Sequence, residues 1–278
     1  MSPGRTISER SDDMKKRVLV AALLIASMLS PAVCAESADR DTLAQVSLLQ
    51  GLTLGDYHGS ITAEELKKHG DTGIGTFDAL NGELLMLNGV IYRAAGDGSV
   101  EVVPDDETIP FANVTFFDTD VRTRVKNISG ISSVKAYMDK KAEKYGRNRF
   151  YMVKITGTFS DMYVRSEIAQ KEPYKPLAGV LETDQREFEY KNIKGTVVGL
   201  YCPGYMDGLN AVGWHFHFIS DDTKAGGHVL DLKADNAFIE WDCTDEFDML
   251  LPDTQDFHSM DLAQDQSEDI RKVETGER

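Results

Sequence analysis

Three of the six histidines in this 278-residue chain fall within fourteen positions, in Trp214-His215-Phe216-His217-Phe218 and at His228. Alternate side chains of a β-strand share a face, so an extended 214–218 segment points His215 and His217 the same way. Asp221-Asp222-Thr223-Lys224 has the composition of a turn. A tight turn there returns the chain so that His228 stands opposite His217, and directly opposed side chains lie about 5 Å apart at Cβ. Three imidazoles on one sheet face leave a fourth coordination position open, which is the donor set of a catalytic zinc site; structural zinc sites fill all four. Copper, nickel and iron(II) accept the same nitrogen donors. The bland reading of His-x-His is a pair of half-buried strand histidines, and the third histidine in hairpin register argues against it. His58, His69 and His258 lack partners at useful spacing and read as surface or core residues.

A second group is Gly73-Ile74-Gly75-Thr76-Phe77 followed by Asn81-Gly82-Glu83-Leu84. It is not a dinucleotide fingerprint, because the third glycine is missing and no strand is expected before it. Taken alone it is a glycine turn feeding a hairpin with Glu83 in solvent. Arg165, taken alone, reads as one half of a surface ion pair.

The elements that must carry these groups are mostly strands. Asp41 to Leu52 has helix-like spacing. Thr62 to His69 reads as a short helix, with Thr62 as N-cap and Glu65 three residues on. Gly70 to Gly75 reads as loop. Phe77 to Val103 reads as hairpins turning at Asn81-Gly82, Asn88-Gly89 and Asp97-Gly98. A strand is expected over Val114 to Arg124, a helix over Ser132 to Tyr145, and a strand over Phe150 to Ser160 that continues towards Arg165. Two prolines interrupt Lys171 to Pro176, the expected boundary between halves. Strands follow over Glu187 to Cys202, Asn210 to Ser220, Gly227 to Leu232 and Ala237 to Asp242, then a helix over Met260 to Val273. The fold class expected is α+β (mixed α/β), in two β-rich halves on mixed or antiparallel sheets with a few helices. The domains are residues 36–175 and a metal-binding half, 176–278.

Residues 1–35 read as a signal peptide with an upstream extension: Met14-Lys15-Lys16-Arg17 is a charged start, Val18 to Leu29 an apolar run, and Val33-Cys34-Ala35 a cleavage point. Pro31 stands where a lipoprotein signal needs an aliphatic residue, so cleavage is expected after Ala35, with secretion or release to the periplasm and no membrane attachment afterwards. The formal net charge of −16 becomes −18 once the leader's five basic and three acidic residues are gone. Such a surface repels nucleic acid and anionic lipid. An anionic substrate therefore needs positive charge inside its site. Cys202 and Cys243 remain, either as a disulfide or as two small buried residues.

Taken together, the segments resemble α-acetolactate decarboxylase over nearly the whole mature chain. The resemblance runs through Leu48-Leu49-Gln50-Gly51-Leu52, Gly55-Asp56-Tyr57-His58-Gly59, His69-Gly70-Asp71-Thr72-Gly73-Ile74-Gly75-Thr76-Phe77 and Asn81-Gly82-Glu83-Leu84. It continues with Thr108-Ile109-Pro110-Phe111-Ala112, Lys175-Pro176-Leu177, Gly195-Thr196-Val197-Val198-Gly199 and Gly213-Trp214-His215-Phe216-His217-Phe218 through Gly227-His228-Val229. Each piece is weak and the combination is specific. The departures, Asn81 where the family often has Asp and Thr72 where it often has Phe, replace no catalytic group.

The resemblance implies zinc (Zn2+) held by His215, His217 and His228. It implies Glu83 near the metal with Thr76 beside it on the substrate, Arg165 as an active-site arginine, and Glu274 as a second glutamate, although Glu277 is also in the tail. The implied reaction converts (S)-2-acetolactate to (R)-acetoin and CO2, the metal chelating the keto and hydroxyl oxygens and stabilising an enediolate. A cupin-like metal-dependent oxygenase or isomerase is the alternative, since cupins also present His-x-His on a strand. Here Asp221 and Asp222 stand where a cupin wants glutamate, and the third histidine comes early. The partner expected is a small anionic molecule, and the assembly considered is a homodimer.

Overall fold

Alternating apolar residues over most of the chain produce strands in the computed structural model, which describes residues 40–264, 266 and 270. In chain order the strands are β1 (Thr42–Val46), β2 (Ile61–Thr62), β3 (Thr72–Thr76), β4 (Glu83–Leu87), β5 (Val90–Ala94), β6 (Val100–Val102), β7 (Thr108–Ile109), β8 (Phe111–Thr115), β9 (Val121–Ile128), β10 (Phe150–Glu167), β11 (Gln185–Cys202), β12 (Gly213–Ser220), β13 (Gly226–Thr244) and β14 (Glu246–Leu250). The helices are α1 (Leu49–Thr53), α2 (Ala63–Leu66), α3 (Ile131–Tyr145), α4 (Leu177–Thr183) and α5 (Gln255–Ser259). The fold is α+β, as expected.

A seven-stranded sheet has the order β14-β1-β8-β3-β4-β5-β6 and is mixed, because β14 runs parallel to β1. A five-stranded antiparallel sheet has the order β10-β11-β12-β13-β9, and β13 also pairs with β10, so β10 to β13 form a closed circuit. Leu43, Ile74 and Leu85 of the first sheet pack against Met152, Val198, Leu200 and Ile219 of the second. The second sheet's other face buries Tyr151, Trp214, Phe216 and Trp241 with Val134, Met138 and Ala142 of α3. The first sheet's other face is covered by Ala63 and Leu66 of α2.

Local signals were accurate where the chemistry is local. Thr62 Oγ1 accepts the Glu65 N–H at 3.2 Å and caps α2. Asn88 and Gly89 both have positive φ, the two-residue turn that suits the twist of a hairpin, and join β4 to β5.

Several expectations need correction. Asp41 to Leu52 is a strand followed by a single helical turn, because β1 is captured between β8 and β14. Gly70 to Gly75 is not a loop, since β3 occupies Thr72–Thr76: a Cβ at Gly73 or Gly75 would stand 2.0 or 2.3 Å from the carbonyl of Asn113 or Phe111, so the glycines let β3 and β8 close on each other. Val114 to Arg124 is two strands in different sheets, separated by 116–120. Gly227 to Leu232 and Ala237 to Asp242 are one strand, β13. Residues 260–264 are not helical; helix α5 precedes them, and most of the rest of the expected Met260 to Val273 helix lies outside the described residues. The sheets do not divide at 175/176, because β10 and β11 pair across it and β14 returns to β1; Asp39–Arg278 is one compact unit. Cys202 and Cys243 are both buried and are not joined in a disulfide, and burial with Asp120 alongside pushes the Cys243 thiol up to about 12.

Candidate active site

Strand β12 sends Trp214, Phe216 and Phe218 into the aromatic core, where Trp214 meets Trp241 edge-on at 5.7 Å. Alternation then leaves His215 and His217 on the opposite face, towards β4 of the first sheet. Gly199 on β11 pairs with Phe216, and a Cβ there would stand 2.4 Å from the ring, so the glycine is what admits the aromatic. His217 and His228 are directly paired between β12 and β13, the register the turn composition predicts. On the other edge of β13, His228 pairs with Arg165 of β10. Between them the ladder skips Leu230, since Tyr163 pairs with Asp231 and Val164 with Val229. An extra residue of this kind bends a strand and re-aims its side chains.

His215 Nε2 lies 3.0 Å from His217 Nε2 and 3.0 Å from His228 Nδ1. His217 Nδ1–H donates to the Leu84 carbonyl at 2.7 Å, which fixes the tautomer and leaves the Nε2 lone pair facing the cluster. Glu83 Oε2 is 3.2 Å from His217 Nε2. Burial, with Arg165 and Lys135 nearby, lowers His215 to about 3; burial lowers His217 and His228 well below the usual range, helped by neighbouring rings and by Arg165. The rings are therefore neutral at physiological pH, with lone pairs available to a metal. A proton on one ring satisfies one of these contacts, whereas a cation among them satisfies all. Two donors on a tetrahedral zinc stand about 3.3 Å apart, so the spacing and the donor chemistry fit that ion.

Arg165 is 3 % exposed and shares a face of β10 with Glu167, also 3 % exposed; Arg165 Nε is 3.7 Å from Glu167 Oε1. Arg165 Nη1 donates to Gln185 Oε1 at 3.4 Å, while its Nε has no hydrogen-bond partner among the described residues. Thr76 is paired with Glu83 across β3 and β4, and its hydroxyl donates to the Gly82 carbonyl at 2.9 Å. These groups line a pocket with about 420 Å³ of empty volume, whose apolar walls include Leu49, Leu52, Leu80, Phe111, Leu177 and Leu181. Ala79 and Leu80 both have positive φ, and Ala79 is held by the Tyr57 carbonyl and by the Gln170 N–H. Such backbone persists only where its surroundings enforce it. The buried Tyr57 hydroxyl donates to the Lys175 carbonyl at 2.9 Å, just before α4 and its Leu177 and Leu181.

The structure thus gathers His215, His217, His228, Glu83, Arg165 and Thr76 from both sheets. Glu274 lies outside the described residues. His58, His69 and His258 stand near surface carboxylates at 3.6 to 3.8 Å and take no part. Sequence reasoning missed Glu167, although Arg165-x-Glu167 on a strand already places both side chains on one face. It also missed the leucine wall from α1 and α4.

The sequence model of the family described as Alpha-acetolactate decarboxylase matches residues 43–264. The α-acetolactate decarboxylase of Methanosarcina mazei is 42 % identical over 234 residues, 84 % of this chain and 80 % of that one. The enzyme of the same name from Brevibacillus brevis is 38 % identical over 245 residues, 88 % of this chain and 85 % of its own. The crystal structure of α-acetolactate decarboxylase from Bacillus subtilis strain 168 superposes with a TM-score of 0.80 at 32 % identity, covering 84 % of this chain and 99 % of that one.

Proposed function

The chain belongs to the α-acetolactate decarboxylase family, and from that premise we propose that it holds zinc at His215, His217 and His228 and converts (S)-2-acetolactate to (R)-acetoin and CO2. Decarboxylation of acetolactate is the family's reaction, and the family match displaces the cupin alternative. The observation that carries the zinc reading is the convergence of three neutral imidazole nitrogens at 3.0 Å contacts beside a buried carboxylate.

The substrate is a 2-hydroxy-3-keto acid, so its ketone lies β to the carboxylate. Zinc, when bound, supplies a Lewis acid that polarises the ketone and gives the electron pair left by CO2 a sink. Arg165 presents a planar donor fork to the carboxylate, and its buried Nε–H is a donor without a partner among the described residues. That cation also offsets the acidic surface at the point where an anion must enter. Glu167 holds Arg165 from the side and keeps the buried charge compensated. The leucine wall excludes water from the developing negative charge, which strengthens each polar contact inside. We assign to Glu83, 3.2 Å from His217 and 8 % exposed, the task of holding and returning the proton on one face of the product.

The test supplies racemic acetolactate to purified protein of measured metal content and follows CO2 and chiral acetoin. Zinc with turnover of one enantiomer to (R)-acetoin supports the reading. A rate equal to spontaneous decay, or iron with oxygen uptake, overturns it. The charged start and apolar run of residues 14–29 support export, and N-terminal sequencing of the mature protein should begin at Glu36.

A further inference from the structure

Away from the histidines, three carboxylates meet where the two sheets are joined. Residues 116–120 connect β8 of the first sheet to β9 of the second and carry Asp118 and Asp120; Asp242 lies on β13. One carboxylate oxygen from each lies within 4.8 Å of the others. Asp120 is anchored, its N–H donating to the Trp241 carbonyl at 2.9 Å and its Oδ2 accepting the Cys243 N–H at 2.8 Å. Asp118 and Asp120 are exposed, so ions have access.

Asp242 is different. It is 1 % exposed, and although the Asp118 N–H donates to its carboxylate, its Oδ2 is buried without a hydrogen-bond partner among the described residues. A buried carboxylate oxygen left unpaired is costly. Lys154, which feels Asp242 electrostatically, commits its ammonium elsewhere: Nζ is 3.1 Å from Asn88 Oδ1 and 4.0 Å from the centre of the Phe117 ring. No cysteine sulfur or imidazole belongs to the group, so the donors are all hard oxygens.

We propose that Asp118, Asp120 and Asp242 form a second, structural metal site that binds calcium and ties the 116–120 connection to β13. Opposite oxygens on a calcium ion stand roughly 4.6–5.2 Å apart, and adjacent ones closer, so the observed spread fits one coordination sphere, with water completing it. The ion takes up the unpaired Asp242 oxygen and offsets the negative charge gathered at Asp118 and Asp120. It contributes to stability and touches no group in the substrate pocket.

The experiment uses zinc-loaded, calcium-depleted protein and calcium chloride alone, with sodium chloride at matched ionic strength as control. Calorimetric titration should give about one calcium per chain, and millimolar calcium should raise the melting temperature by roughly 3–8 °C. Asp242→Asn should abolish both signals, and Asp118→Ala, a surface change that leaves folding intact, should weaken binding about tenfold or more. Acetoin formation at ambient temperature should be unchanged in Asp118→Ala. No calcium-specific shift in the wild-type protein, or an equal shift in Asp118→Ala, overturns the proposal.

Discussion

The three histidines and the three aspartates, each grouped closely enough to hold a cation, pose opposite electrostatic problems. Burial makes an imidazole neutral, so it lowers His215 to about 3, pushes His217 and His228 far down, and leaves donors ready for a metal at physiological pH. Burial also makes a carboxylate neutral, and there it works against binding: Asp242 is pushed up to about 8, by burial first and then by Asp118 and Asp120. The three imidazoles thus stand ready as donors without a metal, whereas burial holds Asp242 towards its neutral form and a cation there has to compete with a proton. The former sit in an apolar pocket fit for chemistry, the latter at a connection fit for a staple.

The largest expected effect separates them by activity. His217→Ala should lower kcat/KM by about 10³-fold or more, because the Lewis acid is worth several kcal/mol. Asp118→Ala should leave the rate alone, and acetoin assays on both variants check this. If the two lose activity equally, the division of labour is wrong. Next is Arg165→Lys, which keeps the charge and loses the fork. A charge-assisted bond of about 1.5–3 kcal/mol predicts a loss of roughly 10–100-fold, with metal content unchanged.

A smaller effect is one of stability, and its pH dependence has opposite sign at the two clusters. Below about pH 6.5 the unfolded histidines take up protons that the folded ones refuse, so their contribution is present above that pH and lost as pH falls. For Asp242 the folded value, about 8, stands above the ordinary carboxylate value of about 4, so its contribution is present at low pH and lost as pH rises towards 8. Asp242→Asn should therefore stabilise calcium-free protein by about 2 kcal/mol at pH 8 and by much less at pH 5, read from urea midpoints. A gain that is flat with pH would show that Asp242 is not the titrating group. The smallest effect is Tyr57→Phe, which removes the bond to the Lys175 carbonyl and should cost about 1 kcal/mol with a rise in KM, since α4 and its leucines lose an anchor.

What the sequence made legible follows from how local each cause is. His217 opposite His228 was readable because a strand period of two and a short turn determine it. Thr76 beside Glu83 was readable only through the family resemblance; locally the glycines predicted a loop. Gly73 and Gly75 sit in a strand because β8 presses against them, a cause that lies some forty residues away. The helix expected at Asp41 to Leu52 failed for the same reason, since β14 from the far end of the chain supplies the pairing. Glu167 was passed over although its spacing to Arg165 is local, because only the fold shows that both are buried, and Asp242 because a lone aspartate on a strand carries no signal until the 116–120 connection meets it.

The central claim, that decarboxylation runs on a metal held by the three histidines, is tested most directly by titrating zinc into metal-free protein while following acetoin formation from acetolactate. The rate should rise linearly and stop at about one zinc per chain, with His217→Ala neither retaining zinc nor responding to it. Full activity at zero zinc, or an undiminished zinc response in His217→Ala, would contradict the account.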